Sequence, residues 1–284
     1  MLKVGIIGLD TSHVTPFAKA ISNERDIIIS SVFPCTSEDF RFAADKVSIN
    51  LSHLKNDYGA EQAHSLDQLM IHSDVIWMET ADARNRFSQF KKIADAGKPV
   101  YINKPLALSL KEADQLLELA EQKGVPVMSS SALRFAKEIK VDQNNLVSAA
   151  CFGPIEWQKT QNGYFWYGIH LVDMLHGMTG AKVKEVSIKN SNKKNEFHLK
   201  DTEGRNHFMT FHQNGSYKYE ATISYPDEKD HKEIGSNLFD GLIKMLTEFT
   251  RSGKAPLSHD QMLDTIRITE ALNHAQLSSV KVRL

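Results

Sequence analysis

Cysteine is scarce in this chain: Cys35 and Cys151 are the only two among 284 residues. So few thiols exclude a disulfide-built scaffold and make a reduced, cytoplasmic setting the expectation. An excess of one charge is missing as well. The 34 basic and 35 acidic residues leave a formal net charge of -1. That balance excludes a strongly basic nucleic-acid binder and an acidic disordered chain. No apolar run approaches the roughly 20 residues that span a bilayer, so no membrane partner is expected. The apolar part of Met1 to Gly8 is too short for a signal peptide. Internal repeats and long low-complexity tracts are lacking too. The polar stretch Asn190 to Asn195 is the nearest to one, and it reads as a hairpin turn.

What is present is an ordinary globular composition, 41% hydrophobic and 24% charged, over a length that suits two domains. In the first part, short apolar runs alternate with amphipathic stretches. Lys3 to Ile7, Ile27 to Phe33, Asp74 to Met78, Pro99 to Ile102 and Val125 to Met128 read as strands buried on both faces. Between them, Phe87, Phe90, Ile93 and Ala94 form one helical stripe ending at Gly97. Leu110, Ala113, Leu116, Leu117 and Ala120 form another, opened by a Ser109/Glu112 capping box and closed by Gly124 and Pro126. Strand and helix in alternation predict an α/β fold with a doubly wound parallel sheet over residues 1–130. Ligands of such sheets sit beyond the strand C-termini. That places Leu9 to His13, Glu79 to Asp82, Asn103 to Pro105 and Ser129 to Arg134 near one crevice.

Residues 131–284 read differently. Leu146 to Phe152 is a strand and Tyr164 to Met178 a helix. Glu196 to Leu199 and Phe208 to Phe211 are neighbouring strands. Tyr217, Tyr219, Ala221 and Ile223 alternate with polar residues, as one face of a further strand. Two helices follow, one through Leu238, Leu242, Leu246 and Phe249, the other through Met262, Leu263 and Ile266. This is the pattern of an α+β domain with a mainly antiparallel open sheet.

Three places carry candidate chemistry. After the first strand, a dinucleotide fingerprint would read G-x-G-x-x-G, its glycines letting the backbone approach a pyrophosphate at a helix N-terminus. Gly8 fills the first glycine position, Asp10 the second and His13 the third. Asp10 either caps the following helix, with Thr11, Ser12 and Pro16 easing its start, or lines a site for an anion or hydroxyl group with Ser12 and His13. No acid follows the second strand until Glu38. Next, Asn103-Lys104-Pro105 fixes a lysine at a strand end. Lys104 either covers the sheet end or protonates an alkoxide or holds a carboxylate. Last, His170 and Asp173 stand three apart on one helix face. They are either a packing pair or an acid–base histidine with its tautomer set by the aspartate. His170, Asp173 and His176 are poorly spaced for a metal, and no H-E-x-x-H or C-x-x-C pattern occurs, so no metal is expected.

Four segments together resemble the Gfo/Idh/MocA family (glucose–fructose oxidoreductase, inositol dehydrogenase). They are Lys3-Val4-Gly5-Ile6-Ile7-Gly8, Ala96-Gly97-Lys98-Pro99-Val100-Tyr101-Ile102-Asn103-Lys104-Pro105, the helix Leu110 to Lys123 with Gly124 to Met128, and Gly168-Ile169-His170-Leu171-Val172-Asp173. The likeness spans most of the first 180 residues. It implies a Rossmann domain for NAD or NADP, met by Gly8, Asp10, Thr11, Ser12, His13 and Asn103. It implies hydride transfer to or from a sugar-like or polyol substrate, with Lys104 and His170 as catalytic groups and Asp173 the acid on the same helix face. Arg134, Trp166 and Tyr167 are the substrate-side residues it points to. It also implies a homo-oligomer formed through the C-terminal sheet. Three departures stand out: Asp10 and His13 replace fingerprint glycines, Asn103 replaces the glutamate before Lys-Pro, and Trp166 replaces an aspartate four residues before His170.

These departures keep other readings open. In one, a cofactor-independent or tight-cofactor lyase, isomerase or hydrolase gathers Asp10, His13, Lys104 and His170 on a sugar-like ligand. In another, the chain is a non-catalytic metabolite-binding protein.

Overall fold

A computed structural model describes residues 1–40, 44–191, 194–213, 215–235 and 237–284. The chain divides into two compact units. One holds Met1–Ala107, Lys111–Ser129 and Ile243–His259; the other holds Leu108–Leu110, Ser130–Leu242 and Asp260–Leu284.

The first unit runs β1 (Leu2–Ile7), α1 (Val14–Ile21), β2 (Ile27–Phe33), α2 (Ala44–Tyr58), β3 (Glu61–Gln62), α3 (Leu66–Ile71), β4 (Val75–Met78), α4 (Arg86–Ile93), β5 (Val100–Ile102), α5 (Leu110–Gln122) and β6 (Val127–Met128). Its six strands are parallel in the order β3-β2-β1-β4-β5-β6. Every residue of β4 and β5 is buried, as expected for strands covered on both faces. The five apolar runs all became strands. The sixth strand, β3, is two polar residues with no periodicity to read. α1 buries Val14, Phe17, Ala18 and Ile21, an i, i+3, i+4, i+7 stripe. Gly97, at φ 64°, ends the turn that follows α4. The strand order reverses direction between β1 and β4, which makes that boundary the topological switch point.

The second unit runs β7 (Ser148–Pro154), α6 (Ile169–Thr179), β8 (Val183–Ser191), β9 (Lys194–Asp201), β10 (Asn206–His212), β11 (Glu220–Ser224), β12 (Lys229–Glu233), α7 (Asp240–Ser252), α8 (His259–Ser278) and β13 (Val282–Arg283). The sheet order is β12-β11-β7-β10-β9-β8-β13, with β7 and β10 parallel and the other pairs antiparallel. Leu171, Val172 and Leu175 of α6 and Ile268, Ala271 and Leu272 of α8 share one core with Cys151, Phe197, Met209 and Ala221 of the sheet. Residues 243–259, most of α7 included, join the first unit. There Trp77 Nε1 donates to Thr250 Oγ1 at 3.3 Å, and Arg251 pairs with Asp26 and Glu24.

Several sequence expectations need correction. The strand expected through Tyr217 and Tyr219 begins only at Glu220, because its partner β7 ends in Pro154, which has no N–H to extend the ladder. The helix expected from Tyr164 is a short 3-10 turn at Gly163–Phe165, with α6 starting only at Ile169. Leu238 precedes α7 rather than lying in it. At the expected Asn190–Asn195 turn, β8 and β9 pair as far as Ser191 and Lys194, and residues 192–193 lie outside the described residues.

Candidate functional site

The loops after β1, β4 and β5 bring a set of buried polar side chains to the switch point. Gly8 opens the first of these turns at φ 83°. A Cβ there would lie 2.5 Å from the Thr80 backbone nitrogen, so only glycine allows β1 and β4 to close this tightly. Asp10 is 1% exposed. It does not cap α1, as one reading of the sequence had it. The N-cap residue is His13, and it forms no side-chain cap. Asp10 instead accepts the Ala81 N–H at 2.8 Å and the Thr36 hydroxyl at 3.3 Å, tying the β1 turn to the loops after β4 and β2. The turn is braced from α2 by Asn50, whose amide donates to the Leu9 and Thr11 carbonyls at 2.7 and 3.2 Å.

Behind this turn lie Glu79 and Arg86, both buried. Arg86 Nη2 donates to the Thr80 and Lys104 carbonyls, each at 3.0 Å, and so clamps the β4 and β5 loops together. Neither Glu79 oxygen accepts a hydrogen bond of ordinary geometry among the described residues, and His13 Nδ1 lies 3.9 Å away. Burial shapes the ionisation of the whole group. It pushes Glu79 up to about 8, against the pull of Arg86. It draws Lys104 down to about 7, with Arg86 pushing the same way and Glu79 opposing. His13 falls to about 3 through burial and Lys104, so its imidazole is neutral, and it stacks on Phe17. Asp10 is raised by burial, although the Ala81 N–H opposes this. The Lys104–Pro105 peptide is cis.

An acid whose pKa is raised in the fold holds its proton more tightly folded than unfolded. Glu79 therefore weakens the first unit as pH climbs from about 4.5 through about 8. Glu79→Gln should remove that slope. The variant should match the wild type at pH 4 and exceed it at pH 9, where Lys104 is already neutral, by at least about 2 kcal/mol. Thermal melts at the two pH values read this directly, and an unchanged gap between the proteins would refute it.

In the second unit, Asp173 does not hold His170 directly, as the i, i+3 spacing had suggested. Its Oδ1 accepts Arg134 Nη1 at 2.7 Å and the Thr265 hydroxyl at 2.8 Å. Its Oδ2 accepts the Ser131 N–H at 2.5 Å and the Ser130 hydroxyl at 3.2 Å. The partner of His170 Nδ1 is Ser131 Oγ, at 2.6 Å. Arg134 is buried with its Nη2 on His176 Nδ1 at 2.8 Å, and burial together with Arg134 lowers His176 to about 4. A guanidinium only donates, so His176 accepts as the neutral ring. Gly177 lets α6 reach this segment, since a Cβ there would meet the Arg134 carbonyl at 2.6 Å. Around His170 stand Tyr167 and Tyr219, with ring centroids 5.5 and 6.0 Å away, and Tyr217 lies 6.4 Å from Tyr167. Tyr217 donates to Glu156. Trp166 is buried.

Within the first unit, then, the structure brings together Gly8, Asp10, Thr11, His13, Asn103 and Lys104. Within the second it groups Arg134 with Asp173, and Tyr167 with His170. Ser12 is exposed. Glu79 and Ser131 lie in segments expected at the crevice but had no role assigned, and Asn50, Arg86 and Thr265 were not singled out at all. Glu79 had a signal: an acid directly after a four-residue apolar run. No group of three or more His, Cys, Asp or Glu that could hold a metal occurs among the described residues.

Residues 2–131 match the family described as "Oxidoreductase family, NAD-binding Rossmann fold" (Gfo/Idh/MocA). That match lies over the parallel sheet of the first unit. A search of curated proteins found no match. Among solved structures, a myo-inositol 2-dehydrogenase from Lactobacillus plantarum is similar at TM-score 0.81 and 13% identity, over 100% of this chain and 99% of that one. A probable dehydrogenase from Thermotoga maritima gives 0.81 and 15%, over 99% and 98%. GenD2 from gentamicin A biosynthesis, solved in complex with NAD, gives 0.81 and 15%, over 100% and 96%. At such identities these likenesses speak to the fold. No helix among the described residues is long and apolar enough to cross a membrane.

Whether this chain suits a dinucleotide turns on Asp10, because a carboxylate beside a pyrophosphate repels it. Here the carboxylate is bound to Ala81 and Thr36 and pushed toward its neutral form. The first-turn N–H groups of α1 are left without a side-chain cap. These residues fit a phosphate-bearing group. The far side differs from the fingerprint. With no acid at the end of β2, Ser37 donates to Asp82 at 2.5 Å and accepts from Asn85 at 2.6 Å, while Arg84 pairs with Asp39 and Asp82.

Proposed function

We propose that this chain is an NAD- or NADP-dependent oxidoreductase acting on a sugar-like or polyol substrate. The observation that carries the reading is Lys104, held at the end of β5 inside the switch-point cluster with its pKa drawn to about 7. An amine poised there gains or loses a proton at neutral pH, which suits the oxygen of a carbon being oxidised or reduced. Thr11 and Ser12 at the start of α1 would hold the pyrophosphate, and Asn103 would meet the nicotinamide end. When bound, the dinucleotide supplies or accepts the hydride. In the first unit Lys104 is the group assigned to the substrate oxygen, and in the second unit His170, with Tyr167 beside it, is the candidate acid–base group. The inositol dehydrogenase among the similar structures supports the substrate class. Calorimetric titration with NADH and NADPH tests the reading: one of them should bind below millimolar concentration, and binding of neither would overturn it.

A second reading draws on Asp10 and Glu79, two buried acids that a plain dinucleotide fingerprint does not need. In it, the cluster performs proton transfer on a sugar-like ligand without a nucleotide, and Asp10→Ala abolishes turnover. Tighter NAD binding by Asp10→Gly with turnover intact would exclude it. We further propose a cytoplasmic homo-oligomer assembled through the open face of the second sheet, where Phe208 is 46% exposed and stacks on His198.

A further inference from the structure

We propose that Ser131 sets the tautomer of His170 and holds the ring protonated on Nε2. Ser131 is rigidly placed. Its N–H donates to Asp173 Oδ2 at 2.5 Å, and that carboxylate is fixed in turn by Arg134, Thr265 and Ser130. Its hydroxyl caps the turn Ala132–Phe135 by accepting the Leu133 N–H at 3.2 Å. The same oxygen stands 2.6 Å from His170 Nδ1. A seryl oxygen that accepts an N–H still has one hydrogen to give. Among the described residues, Nδ1 is the acceptor it meets. Were Nδ1 protonated, the Ser131 oxygen would accept twice and its own hydrogen would lose this acceptor, so the favoured arrangement puts the lone pair on Nδ1 and the hydrogen on Nε2.

A carboxylate in Ser131's place would reverse this. It only accepts, so it would put the proton on Nδ1 and leave Nε2 as a base. The position four residues before His170 holds the buried Trp166, and the oxygens of Asp173 are already met by four donors. With a hydroxyl rather than a carboxylate at Nδ1, the resting ring presents a hydrogen-bond donor at Nε2. On the oxidoreductase reading, a neutral His170 then acts as a hydrogen-bond donor through Nε2 rather than as the resting base. The tautomer itself does not depend on that reading.

The test is nitrogen–proton correlation NMR on the full chain labelled with 15N-histidine, with His170→Gln assigning the signal. At a pH where His170 is neutral, the wild type should show the Nε2-protonated pattern. Ser131→Thr should preserve it, Ser131→Ala should give a mixture, and Ser131→Asp should shift the proton to Nδ1. A wild-type ring protonated on Nδ1, or a pattern that Ser131→Ala leaves unchanged, overturns the proposal. Because the spectrum is read without substrate or cofactor, failure of the oxidoreductase reading leaves it interpretable. Where turnover is measured, Ser131→Ala should lower kcat on the order of tenfold with KM within about twofold, and Ser131→Thr should restore it. A loss confined to KM, or one that Thr does not rescue, counts against a positioning role.

Discussion

Asp173→Ala is expected to destabilise the second unit by about 3–5 kcal/mol, the range for breaking a buried ion pair from one side. Arg134 would be left as an unpaired charge with a side chain only 4% exposed. The Ser131 N–H and the Ser130 and Thr265 hydroxyls would lose their acceptor as well. Urea unfolding followed by tryptophan fluorescence and by circular dichroism would show the effect as a lowered midpoint. A shift below about 1 kcal/mol would show that the network contributes little.

A companion variant separates charge from packing. Removing both charges with Asp173→Leu and Arg134→Met discards the desolvation penalty along with the attraction, so much of the stability should return. It should not return in full, because the Ser131 N–H would still lack an acceptor, at about 1–3 kcal/mol. The double variant should also release Ser131 and with it the orientation of His170. Stability and His170 geometry are thus expected to separate in this pair of variants. That separation distinguishes a network serving the fold alone from one that also positions the histidine.

The parallel sheet was legible because strands buried on both faces are continuous apolar runs, and Ile27–Phe33 became β2 with the bounds read from the sequence. Short polar elements were not. β3 consists of Glu61–Gln62, two polar residues with no period to read. At the site, residue types were readable but their partners were not. Helical spacing puts His170 and Asp173 on one face, yet it does not reveal that Arg134, distant in sequence, captures the carboxylate first. Asp10 shows the same limit. Beside a helix start, a capping role is the local expectation, and only the neighbouring strand end supplies the Ala81 N–H that draws the side chain away. Lone polar residues such as Asn50 and Thr265 act through tertiary contacts alone, so nothing in their local pattern announces them.

Lys104→Met should lower turnover by about 10²- to 10⁴-fold while leaving the fold intact, on the reading that Lys104 exchanges a proton with the substrate oxygen. The first unit should not suffer. Burial and Arg86 together disfavour the Lys104 charge more than Glu79 favours it, so a neutral side chain of similar length removes a net penalty. Lys104→Arg should be nearly as inactive as Lys104→Met, because a guanidinium stays protonated at neutral pH and presents a wider planar head. The pH dependence gives the sign. With the pKa near 7, oxidation of a hydroxyl needs the neutral amine and should speed up as pH rises through about 7. Reduction needs the ammonium and should slow over the same range. Both limbs should vanish from the residual activity of Lys104→Met. Steady-state rates in the two directions between pH 5 and pH 9 provide the measurement. Turnover within about twofold of wild type, or a limb near pH 7 that survives the substitution, would assign the proton to another group, with Glu79, at about 8, the next to test.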